Sequence, residues 1–317
     1  VNNKGVFSAT DTLFSDNRAE LYGGALYNSS GTATITGATF TGSAANNLWY
    51  EEGAFTTERS ITVKDFYIGK YEITKDEYKA VMAGNELGVD ADPSYSSSDP
   101  AKYKITAGEV DGKRAVENVT WYDAVYFCNL LSVKDGLTPA YTISENPTVT
   151  NGHIKSATVD LVANASGWRL PTEIEWEYAA RGGDTSAEAW NYEYAGKKSV
   201  LASAASKDSA LDAVGWYWYN TASGTTADDD PPEGTPGFGA HQVGKKDANT
   251  LGIHDMSGNV WEWCYDRYST IDADTPMTGP SGGSTRIYRG GSWSSSANYT
   301  CVACRYFSYP NNRYVSL

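Results

Sequence analysis

The chain has 317 residues with 39 acidic and 25 basic side chains, a formal charge of −14. That length supports one large domain or two small ones with a sizeable core. With 13% aromatic and 20% charged residues, the composition is not that of a disordered chain. The acidic balance argues against a nucleic-acid binder, which must neutralise a phosphate backbone. The longest apolar stretch, residues 124–131, is far too short to cross a bilayer. No export signal is visible ahead of Val1, which reads as the start of a mature or trimmed chain and leaves room for a removed export or lipid signal.

Residues 1–47 are rich in Gly, Ala, Ser, Thr and Asn. Phe14-Ser15-Asp16-Asn17 recurs loosely as Phe40-Thr41-Gly42-Ser43, and Thr32–Thr36 alternates like a strand. A period near 25 residues around the Gly23-Gly24 turn fits a coil of β-solenoid or a polar linker with strand character. A second domain is expected over residues 58–317. It opens on an alternating strand from Ile61 to Gly69. Three helix starts follow. Thr74 with Glu77 makes a capping box, Thr120 caps a segment whose apolar face is Trp121, Val125, Cys128 and Leu131, and Thr172 with Glu175 caps residues 174–181. Gly182 supplies the stop after the third helix. The acidic stretch Asp228–Gly234 reads as a solvated loop. The class is α+β with long irregular stretches.

Four cysteines are too few to staple a chain of this size. Cys128 and Cys264 sit among apolar residues and read as buried thiols. Cys301 and Cys304 form an isolated C-x-x-C without the further ligands that zinc needs.

Three ordered segments carry a resemblance: Gly167–Gly183 (GWRLPTEIEWEYAARGG), Gly252–Trp263 (GIHDMSGNVWEW) and Arg286–Trp293 (RIYRGGSW), with Arg305 beyond. Together they resemble the formylglycine-generating-enzyme, or sulfatase-modifying-factor, family. The likeness spans roughly residues 58–317 and implies an irregular variant of the C-type lectin fold preceded by a short β-rich segment. Residues 1–47 separately resemble the Gly-Gly-Ala and Phe-x-x-Asn repeats of polymorphic outer-membrane and autotransporter passenger proteins.

Function does not follow from fold, so each site is weighed by its chemistry. The family's oxidases hold copper with two cysteines shortly after the third segment. The matching positions here are Ser295 and Thr300, and a hydroxyl does not replace a thiolate as a soft ligand or redox partner. Cys301 is displaced by one position, so a shifted copper pair is the alternative enzyme reading. The related iron enzymes need clustered histidines, whereas His153, His241 and His254 are scattered. No catalytic cofactor is therefore expected. The resemblance does imply one structural calcium ion, held by the carboxylates of Asp255 and Glu262 and the carbonyls of Gly258 and Val260, hard oxygen donors that suit it. The competing reading is that both carboxylates satisfy turn amides or pair with an arginine. Trp168, Trp176, Trp261, Trp263 and Trp293 are expected in the core rather than on a sugar-stacking platform, because large rings dominate buried area.

After Trp293 the composition changes. Residues 294–317 contain no Lys, Glu, Gln, Asp or Met, and Ser, Tyr and Asn dominate. Tyrosine gives broad amphipathic contact at low entropic cost, and Ser and Asn give adaptable hydrogen bonds. A buried strand would carry Val, Ile and Leu instead. Most of these residues are also reachable from an asparagine codon by changing only its adenines, with Ala297, Val302, Ala303, Arg305, Pro310, Arg313 and Leu317 interspersed as scaffold. This arrangement resembles the variable region of diversity-generating-retroelement proteins. That resemblance implies a cell-surface, lipid-anchored receptor, not an enzyme, whose ligand is a protein or glycan on another cell or host surface. The expected binding face is Ser294, Ser295, Ser296, Asn298, Tyr299, Cys304, Tyr306, Phe307, Ser308, Tyr309, Tyr314 and Ser316, with about two thirds of them exposed. Cys301, Asn311 and Asn312 are weaker candidates. A calcium-dependent glycan-binding lectin is the remaining alternative, weakened by the lack of any acidic residue in this segment.

Overall fold

A computed structural model describes residues 7–8, 33–34, 53–55, 61, 63–144, 146–200, 207–222, 234–272, 274–276 and 278–317. Most of residues 1–47 and of the acidic 228–234 stretch lies outside these. At the start, β1 (Phe7–Ser8) and β2 (Ala33–Thr34) pair in parallel.

The first two long helices begin where their caps dictate. In α1 (Lys75–Met82) the Thr74 hydroxyl accepts from the Glu77 amide, and the Glu77 carboxylate accepts from the Thr74 amide at 2.9 Å. The helix buries Tyr78 and Met82. A single turn, α2 (Tyr95–Ser98), follows. In α3 (Trp121–Lys134) Thr120 and Asp123 make the same reciprocal pair, which satisfies two amides that the helix leaves unbonded. Trp121, Val125, Phe127 and Cys128 face the main apolar cluster, where Tyr78 stacks on Phe127 at 5.1 Å.

Two small antiparallel pairs fill the stretch between α3 and the next helix. They are β3 (Tyr141–Ile143) with β6 (Val159–Leu161), and β4 (Thr148–Thr150) with β5 (His153–Ser156). Helix α4 (Glu173–Ala180) starts on the Thr172–Glu175 box and ends in a Schellman turn: Gly183 N–H reaches Tyr178 O and Gly182 N–H reaches Ala179 O, both at 3.1 Å. Gly182 adopts φ 87°, a left-handed conformation that suits glycine. Helix α5 (Ser209–Val214) starts on Asp208.

The last sheet positions the site. Strands β7 (Glu262–Arg267), β8 (Arg286–Arg289) and β9 (Tyr306–Ser308) run antiparallel in that order. Tyr306 pairs with Tyr288, and Phe307 with Ile287. Ala297, Val302 and Leu317 enter three separate apolar clusters, so the final segment is built into the core at several points along its length.

The expected strand from Ile61 to Gly69 belongs to none of these sheets. Ile61 and Val63 are buried against Ile174 and Trp190, while Phe66 packs partly on the neighbouring cluster. Its apolar positions record burial, and among the described residues of this stretch Lys64 alone takes part in a β-bridge. Among the described residues, no helix is long and apolar enough to cross a membrane.

Candidate binding surface at the C-terminus

The frame grips the last 24 residues chiefly through their backbone. Trp218 N–H donates to Ser295 O at 2.9 Å, and Trp121 N–H to Pro310 O at 3.1 Å. Trp261 N–H donates to Ser316 O at 2.8 Å, and Asn118 N–H to Leu317 O at 2.6 Å. Trp293 Nε1 reaches Val315 O at 3.2 Å, and the Arg289 guanidinium bonds Val302 O at 3.1 Å and also Cys304 O. A backbone carbonyl accepts the same bond whatever side chain it carries.

A few side chains in the segment lock it as well. Arg305 meets Glu173 in a bidentate pair at 2.7 and 2.9 Å, and both residues are buried. Arg313 bonds Asn118 Oδ1. Ala297, Val302 and Leu317 are buried, and Gly291 leaves room for Thr300, whose Cγ2 would lie 2.6 Å from an added Cβ.

Of the twelve residues expected on the face, Ser294, Tyr299, Phe307, Tyr309 and Tyr314 are exposed, and Ser296, Asn298 and Tyr306 are half-buried. Four others are buried, which corrects their expected role as contacts. Ser295 Oγ accepts from Ser292 N–H at 3.1 Å and closes a turn. Cys304 is joined to Cys301 in a disulfide. Ser308 Oγ sits between the Tyr314 hydroxyl and the Asn312 amide. Ser316 is buried beside Leu317, and its carbonyl accepts from Trp261 N–H just ahead of β7. Among the weaker candidates, Cys301 is buried, Asn311 exposed and Asn312 half-buried.

The surface includes a cavity of about 560 Å³. Its variable side is Ser294, Ser295, Ser296, Tyr299 and Tyr306; the other side is Trp218, Tyr219, Trp261 and Tyr288. Trp261 meets Tyr288 edge-on at 4.9 Å and Tyr306 at 5.0 Å, and Tyr299 meets Tyr306 edge-on at 5.4 Å. Trp176, Trp263 and Trp293 are buried as expected, whereas Trp168 is only partly buried and Trp261 lines this cavity. Trp218 and Tyr219 carry no motif in sequence and were not anticipated.

The turn from Asp255 to Glu262 adjoins the surface through Trp261, which lines the cavity. Gly258 takes φ 110°, and an added Cβ would meet Trp216 O at 2.2 Å. Asp255 and Asn259 also have positive φ, at 62° and 59°. Asp255 Oδ2 accepts from Gly244 N–H at 2.7 Å, while its Oδ1 is buried with no hydrogen-bond partner. Burial pushes the Asp255 carboxyl up to about 6, and burial with the Asp255 charge pushes Glu262 up to about 8. Glu72 is a third carboxylate there, raised by loss of hydration and by both neighbours. It accepts from Val260 N–H at 3.0 Å and Asn259 Nδ2 at 2.5 Å. Glu72 lies 187 positions from Asn259, so no sequence motif joins them. The orphaned oxygen and the crowded carboxyls fit a cation, although no cluster of three carboxylate, His or Cys ligands converges on one point among the described residues.

Both sequence-based copper positions are engaged elsewhere. Thr300 Oγ1 donates to Ala297 O at 2.8 Å, and Ser295 closes its turn. Cys128 and Cys264 are free and buried, and burial pushes the Cys128 thiol up to about 12.

Residues 21–315 match the family profile described as the sulfatase-modifying factor enzyme 1-like domain. A chaperone protein LppX from Paenibacillus barcinonensis is 38% identical over 267 residues, 78% of each chain. A formylglycine-generating enzyme from Thermomonospora curvata is 27% identical over 297 residues, 89% of each. Among solved structures, Treponema denticola variable protein 1 superposes with a TM-score of 0.63 at 33% identity, covering 81% of this chain and 84% of that one.

Proposed function

Because the chain belongs to the sulfatase-modifying-factor family and shares its fold with a variable protein, we propose that it is a non-catalytic ligand-binding protein of the cell surface. Its C-terminal residues, rewritten by a diversity-generating retroelement, form the binding face. The observation that carries this reading is the division of labour within residues 294–317. Backbone carbonyls and a few buried side chains make the anchors, while Ser294, Ser296, Asn298, Tyr299, Tyr306, Phe307, Tyr309 and Tyr314 reach solvent. Substitutions at the solvent-facing positions leave the anchors in place. Tyr and Phe supply contact area there, and Ser and Asn supply adaptable polar contacts. The ligand is a protein or glycan on another cell or host surface, and a lipid anchor ahead of the chain tethers the receptor.

Copper chemistry is the poorer reading. Ser295 and Thr300 offer hydroxyls, and the Cys301–Cys304 disulfide leaves no thiolate pair for a soft metal. A structural calcium ion belongs to the proposal: Asp255 and Glu262 would hold it with the Gly258 and Val260 carbonyls, and its charge would offset the crowded carboxylates. Glu72, already bonded to Val260 and Asn259, would orient the turn.

Sequencing the DNA downstream of the coding region tests the proposal. The expected result is a non-coding repeat of codons 294–317 with adenines at the solvent-facing positions, beside a reverse-transcriptase gene. An invariant segment across isolates with no such repeat overturns diversification.

A further inference from the structure

The cavity has two walls of different origin. Trp218 and Tyr219 follow α5, Trp261 precedes β7, and Tyr288 lies in β8. All four fall outside residues 294–317, so rewriting that segment leaves this wall unchanged. Neither wall contributes Asp, Glu, Lys, Arg or His to the lining. What it offers is aromatic rings, whose faces are electronegative, and hydroxyls.

Tryptophan faces elsewhere in the chain take cations. Lys246 Nζ lies 3.9 Å from the Trp216 ring centre, and the Arg286 guanidinium lies 3.8 Å from that of Trp121. Among the described residues, no cation of the chain sits over Trp218, Trp261 or Tyr288. The hydroxyl polarity agrees. Ser296 Oγ donates its proton to Asn298 Oδ1 at 2.7 Å, so toward a ligand this lining residue can act only as an acceptor. An acceptor among ring faces suits a cation that carries N–H groups and disfavours an anion. A net charge of −14 adds long-range attraction for a basic partner.

We infer that the cavity seats an arginine side chain of a protein partner, with the guanidinium against the fixed rings Trp218, Trp261 and Tyr288 and its N–H groups toward Ser296. Arginine fits better than lysine because its planar, weakly hydrated head stacks on rings, whereas an ammonium would lose hydration with no carboxylate in the lining to replace it. The fixed wall thus demands one basic side chain of every ligand, and the variable wall selects what surrounds it. This rests on the reading of residues 294–317 as the binding face.

The test titrates the full chain, by tryptophan fluorescence to millimolar peptide, with an acetylated Gly/Ser peptide carrying one central Arg. Parallel peptides carry citrulline, Lys or Asp. Citrulline keeps the shape and the N–H groups but removes the charge. The arginine peptide is expected to bind roughly tenfold or more tightly than citrulline. Trp218→Ala should remove that advantage, and Trp218→Phe, which keeps a ring, should retain part of it. Equal binding of arginine and citrulline, tighter binding of the Asp peptide, or no arginine binding overturns the inference. If the arginine peptide fails while exchanging Tyr299, Phe307 and Tyr309 still changes which displayed partner is captured, the inference falls and the receptor reading stands.

Discussion

Arg305→Ala and Tyr309→Ser change residues four apart in one segment, and the structure assigns them opposite consequences. Arg305 is 8% exposed and pairs bidentately with Glu173, which is 2% exposed. Removing one partner of a buried ion pair costs about 3–5 kcal/mol, because the other charge stays buried. Arg289 Nε lies 3.5 Å from the same carboxylate and keeps part of its compensation, so the lower end, about 3 kcal/mol, applies. In domains of 150–250 residues that corresponds to a fall in Tm of roughly 6–12 °C. Tyr309 is 57% exposed, and its loss should cost no more than about 0.5 kcal/mol. Thermal unfolding followed by circular dichroism reads both. Equal losses, or a larger loss for Tyr309→Ser, would refute the division of the segment into anchors and rewritable positions.

Other outcomes follow from the same contacts. Thr120→Ala removes a reciprocal cap and should cost about 1–2 kcal/mol in chemical unfolding. Burial and the Glu173 charge push Asp266 up to about 8 in the folded state, from an ordinary 3.8. Its contribution is therefore full below about pH 4 and lost as pH rises through 8. Asp266→Asn should raise Tm relative to the parent at pH 9 and not at pH 4. Cys128 and Cys264 should resist alkylation by iodoacetamide until the chain unfolds, as read by mass spectrometry. Calcium should raise Tm relative to chelator, and Asp255→Asn with Glu262→Gln should abolish that gain; an unchanged gain would remove the ion from the Asp255 turn.

Local signals were legible in sequence, and distant pairings were not. Thr74, Thr120 and Thr172 could be read as caps because each partner lies three residues on. The β3–β6 and β4–β5 pairs could not, since their short, mixed strands carry no clean alternation. The exposed tyrosines followed from composition, but Ser295, Ser308 and Ser316 share that composition and are buried. Serine serves a turn as readily as a surface, and only the fold distinguishes the two. Trp218 and Tyr219 sit in a stretch with no motif; the Ser295 carbonyl holds Trp218, and Tyr219 packs on the cluster that contains Ala297, contacts that no local pattern announces. Glu72 reaches its turn across most of the chain.

Randomising codons 294, 296, 298, 299, 306, 307, 309 and 314 in a surface-displayed library, beside a second library at 297, 302, 305 and 317, tests the central claim most directly. Most members of the first library are expected to stay folded by protease resistance and to yield different binders against different targets, while few members of the second survive. Comparable losses in the two libraries, or a single binding preference across all folded members of the first, would contradict it.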